Sequence, residues 1–271
     1  MANTPADKGT ALITGASSGI GAIYADRLAR RGYDLILVAR NRDRLVALAD
    51  RLTTETGRSV EVITADLTDN AGLARVETVL RQDASITLLV NNAGFGATAP
   101  LLKSDMGKMD EMIAINVNAI TRLSYAAAPG FVARGGGTFI NISSIAAVAP
   151  QILNGVYAGS KAFVLAFSQS LQHELADKGI RVQVVLPGAT ATEFWGIAGT
   201  GVEHLPAQIV MPAEDMVDAA LAGLDQGEFA TIPSLPDLAD WNAFDAARRA
   251  LGPNLSHTKP ATRYGIGGQV A

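Results

Sequence analysis

Thr14-Gly15-Ala16-Ser17-Ser18-Gly19-Ile20-Gly21 follows without a break on the apolar run Thr10-Ala11-Leu12-Ile13 and leads into a helical pattern over Ala22 to Arg31, which Gly32 ends. The glycines at 15, 19 and 21 permit a tight turn. They also let backbone N–H groups approach an anion at a helix N-terminus, where the dipole favours negative charge. The spacing differs from the G-x-G-x-x-G dinucleotide fingerprint, although strand, turn and helix stand in the same order. Taken alone, the segment also fits an ordinary glycine-rich connection.

The same rhythm continues outward. Leu35 to Arg40 is a second strand, and a helix with Leu45, Leu48 and Leu52 at helical spacing is capped at Gly57. Val60 to Ala65, Ile86 to Val90, Thr138 to Ile142 and Val182 to Leu186 follow as strands. Helices are expected over 70–82, as one long run over 104–133, and over 157–178. The strands are uniformly apolar, which suits a parallel sheet covered by helices on both faces. The stretch from Ala189 to Met211 breaks the pattern and reads as a long loop with a short helix, of the kind that forms a lid. Pro212 opens another helix, and Phe229 to Ile232 is an edge strand. Leu238, Trp241, Phe244 and Leu251 mark an amphipathic helix between Pro236 and Pro253.

Composition bounds the function. The 271 residues carry a net charge of −4, which argues against a nucleic-acid partner. No stretch approaches 18 apolar residues, so no membrane-spanning helix is expected, and the polar start has no signal-peptide core. A soluble cytoplasmic protein is the default. There is no cysteine, hence no disulfide and no thiol chemistry. His173, His204 and His257 are scattered, and no metal site is expected.

Three further runs follow in order: Asn91-Asn92-Ala93-Gly94, Ser143-Ser144 and Tyr157-Ala158-Gly159-Ser160-Lys161. Together with residues 14–21 they resemble the short-chain dehydrogenase/reductase family over residues 8–232. The resemblance implies an α/β fold with a Rossmann-type doubly wound parallel sheet of order 3-2-1-4-5-6, usually with a seventh strand. It also implies one domain over 8–232. Residues 233–271 form a helical extension expected on or beside the substrate pocket.

Tyrosine and a lysine four residues on share one helix face. A phenol near pKa 10 is a poor acid–base catalyst at neutral pH, and a neighbouring ammonium is expected to lower it. The resemblance makes Tyr157 the proton donor to a carbonyl, or the base in reverse. It gives Lys161 the tuning of that phenol and the nicotinamide ribose hydroxyls. Ser144, thirteen residues before Tyr157, would hydrogen-bond the substrate oxygen, while Ser143 packs or caps at the strand end. Asn116 matches a helical asparagine that in many members holds a water near the lysine; a plain buried hydrogen-bonding group is the other reading.

For the cofactor, the turn would supply Gly15, Ser17, Ser18, Gly19, Ile20 and Gly21. Asp66 and Leu67 match the pair at adenine, and Asn92, Ala93 and Gly94 match the segment beside the cofactor. Pro187, Gly188, Thr190 and Thr192 match the segment meeting the carboxamide. No acid stands at the end of the second strand, where an NAD-binding protein would place one, whereas Arg40 can pair with a 2′-phosphate. NADP(H) is therefore favoured. Arg42 and Arg44 read as solvated surface arginines.

The implied activity is NADP(H)-dependent interconversion of a small, hydrophobic carbonyl compound and its alcohol. The pocket is expected to be walled by Phe95, Ala146, Val148, Ile152, Leu153, Phe194, Trp195 and Ile197. The alternatives are a 3-oxoacyl-thioester reductase and a non-enzymatic NADP(H) sensor. A homo-oligomer, dimer or tetramer, is implied, with Ala126-Ala127-Ala128, Phe163, Phe167 and Leu171 suited to its packing. Trp241 and Phe244 fit a pocket cap, an oligomer surface or simple core packing equally.

Overall fold

Each apolar run becomes a strand of one parallel sheet. The computed structural model describes residues 8–266. In chain order the elements are β1 (Thr10–Thr14), α1 (Gly19–Arg30), β2 (Asp34–Ala39), α2 (Arg42–Thr56), β3 (Val60–Thr64), α3 (Asn70–Gln82) and β4 (Ile86–Asn91). Then come α4 (Met106–Ile113), a π-helical segment (Ala114–Ala119), α5 (Ile120–Ala133), β5 (Gly137–Ile142), α6 (Gly155–Leu175) and β6 (Ile180–Val185). The remainder is β7 (Thr190–Ala191), α7 (Phe194–Ala198), β8 (Met211–Pro212), α8 (Ala213–Gln226), β9 (Ala230–Thr231) and α9 (Leu238–Ala250).

The main sheet has the order β3-β2-β1-β4-β5-β6-β9, every pairing parallel. The expected order and its seventh strand are both present. Successive residues of a strand point to opposite faces, so Leu12 and Ile13 enter different cores. Ile13 joins Tyr24, Leu28, Leu37, Leu45 and Val217 beneath α1, α2 and α8. Leu12 joins Val38, Leu73, Leu123, Phe131 and Phe139 beneath α3 and α5. This double burial explains the unbroken apolar runs. β3 is the exception: it is one of the two sheet edges, it is only half-buried, and Glu61 faces solvent.

Several boundaries differ from expectation. α1 begins at Gly19, inside the glycine turn, three residues earlier than the apolar pattern shows. The long helix expected over 104–133 is three pieces, with the π-helical segment between α4 and α5. Such wide turns concentrate at functional sites. The lid region is not one loop, because β7 and β8 pair across it as a small second sheet. Ala126, Ala127 and Leu171 are buried in the chain's own core instead of facing outward. The outer surface of α5 and α6 is aromatic: Tyr125 stacks on Phe167 at 6.5 Å between centroids, and Phe167 on Phe163 at 5.6 Å.

The chain divides into two compact units between Pro233 and Ser234. In the second, Asp237 caps α9 by accepting from the Ala239 N–H at 2.8 Å, and the Trp241 and Phe244 rings lie 5.5 Å apart. Among the described residues no helix is long and apolar enough to cross a membrane.

Candidate active site

Strand order reverses beside β1, so the C-terminal ends of β1 and β4 open a crevice where ligands of such sheets bind. Thr14 ties these two ends together. Its Oγ1 donates to the Val90 carbonyl at 3.2 Å and accepts from the N–H groups of Asn92 and Ala93, both at 3.0 Å. Asn92 Nδ2 returns hydrogen bonds to the carbonyls of Thr14 at 2.9 Å and Gly15 at 3.3 Å.

This stitching leaves no room for side chains. Gly15 has φ +68°, and a Cβ there would lie 2.8 Å from Asn92 Nδ2. One on Gly21 would lie 2.3 Å from the Gly15 carbonyl oxygen, and one on Gly94 would lie 2.5 Å from Asn116 Oδ1. Ser17, Ser18 and Ile20 are half-buried along the turn. α2 and α3 are capped by the side chains of Asn41 and Asp69, but no side chain caps α1. Its first N–H groups keep their capacity for an anion. The turn therefore fits a dinucleotide pyrophosphate.

Arg40 extends into solvent from the end of β2, with Nη1 3.8 Å from Asp66 Oδ2. Burial alone would raise the Asp66 pKa, but hydrogen bonds from Thr68 and the charge of Arg40 hold it below the usual value. Leu67 is buried in the core under the sheet, so at this corner it has only its backbone to offer. Arg44 lies at the surface as expected, and it is also paired there: its Nη1 donates to Glu193 Oε2 at 2.7 Å, across 149 residues. That pair joins the start of α2 to the lid. Thr192, one residue before Glu193, brings its methyl group against Gly19.

The second cluster is built on β5 and α6. Ser144 follows β5, and its Oγ accepts from the Ala146 N–H at 3.1 Å. Tyr157 and Lys161 are both buried, on adjacent turns of α6. Lys161 Nζ lies 5.8 Å from the Tyr157 ring centroid and donates to the Ile142 carbonyl at 3.0 Å. Ser143 Oγ holds the same helix by donating to the Lys161 carbonyl at 2.7 Å.

The electrostatics correct the expectation for the phenol. Burial pushes the Tyr157 pKa up to about 12, opposed by a hydrogen bond with the Ser144 side chain. Burial likewise pulls Lys161 down to about 8, so the ammonium is itself desolvated. These surroundings favour the protonated phenol at neutral pH.

Asn116 lies in the π-helical segment. Its Nδ2 donates to the Phe95 carbonyl and to Ser160 Oγ, both at 3.0 Å, and its Oδ1 accepts from the Phe95 N–H at 3.2 Å. Ser160 Oγ donates to the Tyr157 carbonyl at 2.7 Å. The asparagine amide is thus committed to protein partners and braces the tyrosine helix. Pro187 accepts from the Ile145 N–H at 3.0 Å, and Thr190 Oγ1 donates to the Gly188 carbonyl at 3.2 Å. The carboxyl-side segment is thereby fixed beside Ser144.

Phe95, Ala146, Leu153 and Phe194 gather about Tyr157 as expected of a pocket wall. The Phe194 ring lies 5.8 Å from that of Tyr157, and a Cβ on Gly96 would collide with Phe194 at 2.4 Å. Other expected wall residues lie outside this cluster, with Val148 and Ile152 exposed. Trp195 is buried and anchors the lid by donating from Nε1 to the Thr190 carbonyl at 2.9 Å, while Ile197 points outward. A cavity of about 290 Å³ opens between Thr98–Leu101 and Gln151–Gly155. Arg44, Gly96 and the Thr98 contacts carry no sequence signature, because each acts through a partner distant in the chain.

Comparison with known proteins agrees with the fold. A family model described as short chain dehydrogenase matches residues 9–200. A structure of a short-chain dehydrogenase from Sphingobium yanoikuyae in complex with NADPH shares 49% identity with a TM-score of 0.92, covering 94% of this chain and 99% of that one. A bulky-bulky ketone specific alcohol dehydrogenase from Comamonas testosteroni shares 44% identity with a TM-score of 0.88, covering 95% and 99%. A very-long-chain 3-oxoacyl-CoA reductase from Anas platyrhynchos is 36% identical over 68% of this chain, a match that spans 60% of that relative's length.

Proposed function

The chain belongs to the short chain dehydrogenase family, and we propose that it reduces ketones bearing bulky apolar substituents to secondary alcohols with NADPH. The observation that carries this reading is the buried group of Ser144, Tyr157 and Lys161 beside the crevice. The nicotinamide, when bound, supplies the hydride. Tyr157, protonated at neutral pH, donates its proton to the oxygen of the reduced carbonyl. Ser144 hydrogen-bonds that oxygen as charge develops on it. Lys161 binds the nicotinamide ribose hydroxyls and, when charged, eases the loss of the phenol proton.

Gly15, Ser17, Ser18, Gly19, Ile20 and Gly21 hold the pyrophosphate with backbone N–H groups. Asp66 and the Leu67 backbone would meet adenine, and Asn92, Ala93 and Gly94 would lie beside the cofactor. Pro187, Gly188, Thr190 and Thr192 meet the carboxamide. Exposed Arg40 and the absence of an acid at the end of β2 support the 2′-phosphate form, as does the NADPH complex of the 49% identical relative. The 44% identical ketone enzyme and the aromatic wall at Phe194 support bulky apolar substrates. Self-association is part of this reading, through the aromatic stack on α5 and α6; light scattering on the purified chain tests it.

NADPH oxidation with diaryl and aryl-alkyl ketones is the deciding assay. The wild type turns them over, and Tyr157→Phe loses at least ~10²-fold in rate. An inert wild type that still binds NADPH would overturn the enzyme reading. The match to the 3-oxoacyl-CoA reductase favours one rival substrate class, so a 3-oxoacyl thioester belongs in the panel. A larger kcat/KM for it than for any ketone would replace the ketone reading.

A further inference from the structure

Asn154 directly precedes the helix that carries Tyr157, and it is almost wholly buried. Its side chain serves two separate parts of the chain. Oδ1 accepts from the N–H groups of Val156 at 2.8 Å and Tyr157 at 3.4 Å, capping α6 at the residue that bears the phenol. Nδ2 donates to the Ala99 carbonyl at 2.7 Å and to Ser104 Oγ at 2.9 Å. Ser104 Oγ donates onward to the carbonyls of Ala99 and Pro100, at 3.1 and 3.0 Å.

One residue before Ala99, the same loop grips the lid. The Thr98 N–H and hydroxyl both donate to the Ala198 carbonyl at 3.0 Å, and the hydroxyl lies 3.2 Å from Thr200 Oγ1. A single amide therefore links the first turn of the tyrosine helix, the loop over 96–104 and, through Thr98, the end of α7. The 290 Å³ cavity lies between the two segments that Asn154 joins. A helix cap needs only an acceptor, and Ser serves as well as Asn. The link to Ala99 and Ser104 needs two N–H donors on the same side chain, which the amide provides.

Building on the ketone-reductase reading, we propose that Asn154 is a positioning residue for substrate. It sets the spacing between the Tyr157 phenol and the wall made by loop 96–104 and the lid, and so governs how a bulky ketone is held. It takes no part in moving the proton.

The test compares Asn154→Ser, which keeps a capping oxygen and loses the long amide, with Ser104→Ala, which weakens only the loop branch. Each is assayed with a small methyl ketone and with a diaryl ketone. Asn154→Ser raises KM for the diaryl ketone about tenfold, while kcat for the small ketone stays within about twofold and the pH profile of kcat/KM does not move. Ser104→Ala shifts KM in the same direction by less. A second readout needs no substrate: in a Trp241→Phe background, acrylamide quenching of Trp195 reports the lid and rises in both variants. Unchanged KM for both ketones, or a kcat loss equal for both at constant KM, overturns the role of Asn154. So does unchanged Trp195 quenching. If the wild type reduces neither ketone, the functional reading fails first, and the substrate role falls with it even where quenching changes.

Discussion

The glycine turn follows β1 and the tyrosine helix follows β5, with β4 between those strands in one sheet, yet the two regions are made by opposite means. Between Thr14 and Gly21 the surface is backbone, cleared of side chains; a Cβ at Gly15 or Gly21 would strike atoms fixed by Thr14 and Asn92. Around α6 the surface is side chains, and burial has moved their proton affinities: up for Tyr157, down for Lys161. The first region is damaged by adding atoms. The second is disabled by changing chemistry at constant volume, and it holds a desolvated ammonium at a cost to stability. Active sites commonly trade stability for function in this way.

Lys161→Met sharpens this contrast most. Reduction falls at least ~10²-fold, because the charge beside the phenol is lost. Stability moves the other way. The lysine pKa drops from 10.5 when unfolded to about 8 in the fold, so below pH 8 the folded state carries a charge that burial disfavours. That penalty is about 3 kcal/mol, and it is relieved as pH rises from 8 to 10.5. Thermal melts should therefore show the variant at least as stable as wild type at pH 7, with the advantage shrinking towards pH 10.5. A large drop in Tm at pH 7 breaks the argument. In the wild type the same titration makes kcat/KM for reduction decline above pH 8.

Gly21→Ala is the corresponding probe of the backbone region. The added carbon meets the Gly15 carbonyl, so the turn must shift, at about 1–3 kcal/mol in stability. NADPH titration followed by fluorescence should give a Kd at least about tenfold weaker, with catalysis at saturating cofactor the less affected quantity. Wild-type affinity would mean that the turn is not tightly specified. A milder effect is expected at Arg40, which is exposed: Arg40→Asp shifts the NADPH/NADH ratio of kcat/KM by about tenfold towards NADH. An unchanged ratio removes Arg40 from cofactor choice. The smallest change belongs to Glu193→Gln. Its pair with Arg44 is solvent-exposed, and exposed pairs are worth about 1 kcal/mol or less, so KM for NADPH changes no more than about fivefold, most visibly at low salt.

The two regions also differed in how far they could be seen in the sequence. The turn was visible because its geometry is local: three glycines, a strand before and a helix after. The Tyr157–Lys161 spacing was local too, but it shows only that the two residues share a helix face; the family resemblance supplied their role. The sign of the Tyr157 pKa was not visible, because it depends on how completely α6 is covered by segments from elsewhere in the chain. The π-helical segment at Asn116 was also hidden, whereas the asparagine's part as a buried hydrogen-bonding group was one of the two readings of the sequence and is seen in its bonds to Phe95 and Ser160. Ala126 and Ala127 were expected to suit an oligomer's packing, yet they are buried in the chain's own core.

From residue order came the strand–helix alternation, the parallel sense of the sheet and a glycine turn with room for an anion, since each follows from contacts within a few residues; the roles expected of Tyr157 and Lys161 came from the family resemblance. Tertiary structure alone decided what surrounds that pair. Desolvation of Tyr157 and Lys161, the ion pair of Arg44 with Glu193 and the bridging amide of Asn154 all join segments tens of residues apart or more. The strength of a charge or a hydrogen bond is set by everything packed around it, and only the folded chain brings those surroundings together.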